Sequence, residues 1–168
     1  MPRITQPLRD EHKELLPHIE ALRVAADCVG TAPIADIRSE VDAAYAFLDG
    51  HLIPHAKAEE AALYPAVARI MGARDATATM IREHGEIGRM VGELGVLRGR
   101  LGGDTITPVT ANYLRHVLYG LHALVKMHFL NEEEVFLPLL DARLGEAEAQ
   151  ELFARMERVA HDAMAGAR

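Results

Sequence analysis

The sequence contains no tryptophan, and phenylalanine and tyrosine bring the aromatic share to only 5%. Sheets draw on β-branched and aromatic residues for their pleated faces. Alanine, leucine, glutamate and arginine are abundant instead, all good helix formers, so an all-α fold is expected. Positive charge is also short: 18 Lys and Arg stand against 25 Asp and Glu, a formal charge of −7 with neutral histidines. A nucleic-acid binder ordinarily presents a basic face to phosphates. That class is disfavoured, whereas an acidic chain suits cations. The one cysteine, Cys28, can neither close an internal disulfide nor build a thiolate zinc cluster, and is expected to pack as a small hydrophobe. No apolar run approaches the ~18 residues of a membrane span. Met1 to Arg9 lacks the basic start and apolar run of a secretory signal. The expectation is a soluble, cytoplasmic protein with no membrane partner, forming one domain over residues 1–168.

What the chain does have is histidine, nine in all. Apolar recurrence at three- and four-residue steps, broken by Gly, Pro and Thr, predicts five helices. They run from about Gln6 to Cys28, from the Thr31-Ala32-Pro33 start to about Met71, from about Arg74 to Leu101, from Thr107-Pro108 to about Leu140, and from about Glu146 to Met164. Pro54 should kink the second by removing a ladder hydrogen bond. The first four form a core bundle over about 6–141, and the fifth covers one flank.

An internal repeat is more informative than any single motif. His55-Ala56-Lys57-Ala58-Glu59-Glu60 aligns without a gap on His128-Phe129-Leu130-Asn131-Glu132-Glu133, and the match continues to Pro65 and Pro138. Glu11-His12-Lys13-Glu14 echoes Glu83-His84-Gly85-Glu86 at nearly the same offset. Two equivalent helix pairs predict an antiparallel four-helix bundle with a pseudo-twofold internal repeat, plus a short C-terminal helix.

Residues four apart share a helix face, so His55 with Glu59, and His128 with Glu132, project together. Each pair interrupts an apolar stripe: Leu48, Leu52, Ala62 and Ala66 on the second helix, and Leu121, Leu124 or Val125, Val135 and Leu139 on the fourth. His12 lies on the Leu8, Leu15, Ile19, Leu22 stripe and His84 on the Ile81, Ile87 or Gly88, Val91 stripe. Buried carboxylates are costly unless paired or bound to cations, and a pair of metal ions resolves that conflict. Four imidazoles with two carboxylates suit first-row metals such as iron or manganese. Calcium and magnesium prefer oxygen shells, and six ligands fit one tetrahedral zinc poorly. Manganese is less favoured than iron because of the imidazole share.

Over about Leu8 to Leu140 the chain resembles the hemerythrin-like family, helical bundles with an HHE cation-binding motif and a non-haem di-iron centre. The resemblance implies metal ligation by His12, His55, Glu59, His84, His128 and Glu132, with two oxo- or hydroxo-bridged iron ions as cofactor. Glu133 is a rival for Glu132, and His51 is a candidate extra ligand or supporting contact. The family's oxygen carriers have a further histidine one turn after the third-helix ligand, where this chain has Gly88. That departure implies open positions on both metals and a more symmetric centre, with peroxide or dioxygen as the small-molecule partner. The alternative is a module that stores or senses iron, dioxygen or nitric oxide without turnover. A ferritin-like carboxylate enzyme is disfavoured, because no histidine has a glutamate three residues before it.

The remaining residues receive blander expectations. Glu60, Glu133 and Glu134 should face solvent or salt-bridge neighbours, and His18, His116, His122 and His161 should serve as surface or packing groups. Tyr64 and Phe136, at matching places near the prolines, should belong to the core, although Tyr64, Tyr45, Tyr113 or Tyr119 could hydrogen-bond a metal-bound oxygen. Met80, Met90 and Met127 read as gap fillers.

Overall fold

The structure, a computed structural model, describes residues 3–166. Among these there is no strand. Five helices follow one another: α1 (Gln6–Cys28), α2 (34–71), α3 (Ala78–Arg98), α4 (108–143) and α5 (Glu146–Gly166). α1 packs on α2 and α4, and α3 packs on the same two, so the four helices close a ring. α5 lies against the middle of α2. Among the described residues no helix is long and apolar enough to cross a membrane.

The chain punctuates itself where its breakers stand. α1 stops before Gly30 and α2 before Gly72, both at positive φ (85° and 65°), which glycine adopts without a Cβ clash. Thr107 Oγ1 accepts from the Thr110 amide at 3.1 Å, and Pro108 follows in the first turn of α4. α3 is shorter than its apolar pattern suggested. Arg74 to Thr77 form turns, and the chain leaves the helix at Gly99. Cys28 is half-buried.

The prolines act more widely than a single kink at Pro54. Three widened π-turn segments, Leu48–Leu52, Glu59–Leu63 and Glu132–Phe136, each end two residues before a proline, Pro54, Pro65 and Pro138 respectively. A proline lacks the amide proton and its ring crowds the carbonyl four residues back; a wider turn accommodates both. Pro17 also sits inside α1 without such a segment, on the exposed face, where water can satisfy the carbonyl it frees.

The π turns also correct two of the predicted stripes. Val135 is 54% exposed, and Phe136, one residue later, takes the core position. A strict three-to-four step overlooks the extra residue. On α3 the core face begins with Met80 and leaves Ile81 outside. Met80 and Met90 fill the interior as expected, but Met127 is exposed.

Two apolar clusters make the core. One joins Ile19, Leu48, Leu94 and Leu118 at one end of the bundle. The other joins Leu8, Leu63, Leu137 and Leu152 at the α5 end. Between them lies a slab of histidine and glutamate, buried although polar.

Gly92 faces outward in mid-α3, and a Cβ there would meet no atom within 4 Å. Gly92→Ala is therefore expected to stabilise the protein by about 1 kcal/mol. In a chain of this size that raises the melting temperature by about 2–4 °C, readable by differential scanning calorimetry.

Candidate metal centre

The four histidines and two glutamates singled out in the sequence converge in the polar slab. His12, His55, His84 and His128 are 1–6% exposed, and Glu59 and Glu132 are 0% exposed. They form two overlapping groups able to hold a metal: His12, His55, Glu59 and Glu132 in one, and Glu59, His84 and His128 in the other.

Glu59 spans both. Its Oε1 lies 3.0 Å from His55 Nε2 and 3.7 Å from His12 Nε2, while its Oε2 lies 3.3 Å from His84 Nε2 and 4.0 Å from His128 Nε2. Glu132 spans them from the other side, with Oε2 3.4 Å from His12 Nε2 and Oε1 3.6 Å from His128 Nε2. Each carboxylate thus divides its two oxygens between the two imidazole pairs. Glu59 and Glu132 both open a π turn, a feature frequent at functional sites.

The imidazoles are held in one orientation. His12 Nδ1 meets Glu133 at 3.0 Å, His55 Nδ1 meets Glu11 at 2.9 Å, His84 Nδ1 meets Glu60 at 2.9 Å, and His128 Nδ1 meets Glu83 at 2.8 Å. A carboxylate only accepts, so each Nδ1 carries a proton, and whenever the imidazole is neutral its Nε2 turns a lone pair to the centre. Arg9 further pins Glu133 and reaches Asp141 at 3.3 Å, while the Thr5 amide and hydroxyl both donate to Asp141 at 2.9 Å.

This arrangement fits cations. The Nε2 atoms of His84 and His128 stand 2.9 Å apart, near the separation of neighbouring ligands on one ion with bonds of ~2.1 Å. His12 Nε2, His55 Nε2, both Glu59 oxygens and Glu132 Oε2 are buried without a hydrogen-bond partner. Buried polar atoms are almost always satisfied, and five orphans converging on one slab are the signature of a metal-ligand set.

The titration behaviour of the chain alone reflects the same conflict. Burial pushes the Glu132 carboxyl well above its ordinary value, and the nearby Glu59 charge pushes it further. Burial would also raise Glu59, but the imidazoles of His55, His12 and His128 outweigh it and hold this carboxyl well below the ordinary value. For His55, burial opposes the charge, yet Glu59 and Glu11 raise its basicity well above normal. Glu11 is lowered, its hydrogen bond and ion pairing with His55 exceeding the effect of burial. Two buried carboxylates cannot both be ionised here unless positive charge joins them.

Several expectations need correction or sharpening, whereas Glu60 and Glu133 take the salt-bridge alternative expected of them. Each turns to a histidine of a neighbouring helix, and Glu133 lies on His12 rather than in the centre, which Glu132 occupies. His51 is exposed and stacks at 6.4 Å on Phe47, outside the site. Glu11 and Glu83 went unassigned in the sequence. Their signal was the repeat itself, which places a glutamate directly before His12 and before His84.

The centre is also less symmetric than the motif implies. In the gapless repeat Tyr64 corresponds to Leu137, not to Phe136. Tyr64 Oη donates to Glu132 Oε1 at 2.9 Å and lies 3.2 Å from Nε2 of both His84 and His128. Burial, followed by the charges of Glu59 and Glu132, pushes its phenol far above the ordinary range, so the hydroxyl keeps its proton in the chain alone. Leu137, fully buried, offers no polar atom. Tyr64 is the one tyrosine at the centre: Tyr113 is exposed, Tyr119 bonds Asp27, and Tyr45 packs on Gly95.

No curated protein and no solved structure matches this chain. Residues 3–140 match the family described as Hemerythrin HHE cation binding domain. That span contains all four helices of the ring up to Leu140, and every residue of the buried slab. The bundle, the paired clusters and the match over most of the chain agree: this protein belongs to the hemerythrin HHE cation-binding family.

Proposed function

We propose that the chain is a non-haem di-iron protein that reacts with peroxide or dioxygen, with His12 and His55 holding one iron, His84 and His128 the other, and Glu59 and Glu132 shared between them. The observation that supports this reading is the even division of donors: two imidazoles for each half and two carboxylates spanning both. At position 88 there is no third imidazole, and a Cβ there would meet no atom within 4 Å. When bound, iron would supply Lewis acidity and one-electron steps toward a small oxygen-containing substrate.

The chain's own contribution is placement and exclusion. The two apolar clusters shield the slab from bulk water above and below, and Phe129 stacks on His12 with ring centres 4.3 Å apart. Tyr64 Oη holds a proton beside Glu132 and two imidazoles, where it can donate to a substrate oxygen. A cavity of about 300 Å³ reaches the His12 side and is lined by Leu16, Phe129 and Leu130, with Arg9 and Lys13. It suits the approach of a small neutral molecule such as hydrogen peroxide.

The test is metal analysis with an optical spectrum, then peroxide consumption by wild type and His128→Ala. The reading expects two irons per chain, a near-ultraviolet charge-transfer band, and turnover at least a hundredfold above free iron that the variant loses. Full occupancy with reversible dioxygen or nitric oxide binding and no peroxide turnover would replace it with the storage or sensing reading.

A further inference from the structure

The four acids on the histidine Nδ1 atoms are not scattered neighbours. α1 supplies Glu11 to His55 on α2, α2 supplies Glu60 to His84 on α3, α3 supplies Glu83 to His128 on α4, and α4 supplies Glu133 to His12 on α1. The contacts run once round the bundle in a closed cycle. Each of these acceptor residues is adjacent in sequence to a member of the inner cluster: Glu11 to His12, Glu60 to Glu59, Glu83 to His84, Glu133 to Glu132. One helix thus orients its own inner group and the next helix's imidazole together.

We infer that Glu11, Glu60, Glu83 and Glu133 are positioning residues that form one anionic ring, and that this ring biases a bound metal pair toward its oxidised state. The inference rests on the di-iron reading above and deepens it. Orientation alone needs only an acceptor, which a backbone carbonyl or an amide could provide. All four acceptors are carboxylates instead. With Glu59 and Glu132 they place six acidic side chains around two ions. A carboxylate that accepts the Nδ1 proton raises the basicity of the imidazole, so Nε2 donates more strongly to the metal, and the higher-charged ion gains most. The ring acids are 26–47% exposed at the side chain, so each can be replaced without opening the core. A centre held oxidised at rest suits peroxide consumption better than reversible dioxygen carriage, which must begin from the reduced metal.

The experiment separates charge from orientation. Glu60→Gln keeps an acceptor for His84 Nδ1 and removes the charge; Glu60→Ala removes both; Glu134→Gln, at an exposed acid outside the ring, is the control. Each full-length protein is loaded anaerobically with ferrous iron, and the midpoint potential is read by spectroelectrochemistry. Glu60→Gln is expected to retain two irons and to weaken the preference for the oxidised state about tenfold, about 59 mV upward for a one-electron couple. Glu60→Ala should in addition bind iron ten- to a hundredfold more weakly. Glu11→Gln, which loses its charge beside His55, should repeat the shift at the other imidazole pair. Unchanged potentials in both Gln variants would overturn the inference, as would an equal shift in the control. Histidine ¹⁵N spectra of the metal-free proteins judge the ring independently of iron. His84 should carry its proton on Nδ1 in wild type and lose that preference in Glu60→Ala. Failure of wild type to bind iron, with the tautomer as expected, would count against the di-iron reading and not against the ring's orienting role.

Discussion

Removing the metal is expected to lower the melting temperature by roughly 8–16 °C. A ligand that binds only the folded state, present at about a thousand times its dissociation constant, stabilises by about 4 kcal/mol, and each kcal/mol moves the midpoint by about 2–4 °C at this chain length. The physical source is the set of buried nitrogens and oxygens with no hydrogen-bond partner. The effect should also depend on pH, in a direction that follows from the chain's own groups. His55 is raised above its ordinary 6.5, so its contribution to metal-free stability is complete below that value and is lost as pH rises through the folded value. Glu132, raised above 4.5, behaves the same way. Glu59, held below 4.5, contributes above that value and loses its contribution only as pH falls well below it. Over the pH interval above 6.5 the metal-free protein should therefore lose stability. Metal binding, which competes with protons, should strengthen. Calorimetry with and without chelator across that interval should show a widening gap. A gap of zero at every pH would mean a bundle with buried histidines and no resident metal.

Glu59→Ala should abolish both metal positions at once, whereas His84→Ala should weaken one more than the other. Glu59 is fully buried and divides its oxygens between the two imidazole pairs. Breaking a buried charged interaction costs about 3–5 kcal/mol, on the order of 10³-fold in affinity at 1.4 kcal/mol per decade. Inductively coupled plasma analysis after iron loading should find two ions per chain in wild type, fewer than one in Glu59→Ala and between one and two in His84→Ala. His51→Ala should match wild type because its ring lies outside the cluster. Far-ultraviolet circular dichroism would confirm that the variants stay helical. Two ions retained by Glu59→Ala would overturn its role as the shared acid.

Much of the centre was legible because its logic is local to single helices. A histidine and a glutamate four residues apart must share a face, and a polar pair on an apolar stripe must enter the core or break it. The repeat then placed His55, Glu59, His128 and Glu132 in equivalent settings. Residues whose partner lies on another helix were harder to read. Glu60 and Glu133 sit beside the inner acids and off the stripe by any 3.6-residue count, so they read as solvent or salt-bridging residues with no partner named. Helix packing and the π turns that begin at Glu59 and Glu132 carry them to His84 and His12. Val135 was misplaced for the same reason, since one extra residue in a turn shifts everything after it. The prolines at 54, 65 and 138 were the visible trace of those turns.

Composition and spacing alone determined that the chain is helical, that it repeats, and that four histidines and two glutamates face its interior, because periodicity is a property of one helix at a time. Only the tertiary structure decided that the acids span both imidazole pairs, that four outer carboxylates close a ring from helix to helix, and that Tyr64 stands on one side of the centre where Leu137 stands on the other. Those relations depend on the angle and height at which helices meet. Neither quantity is written in the sequence of any one helix.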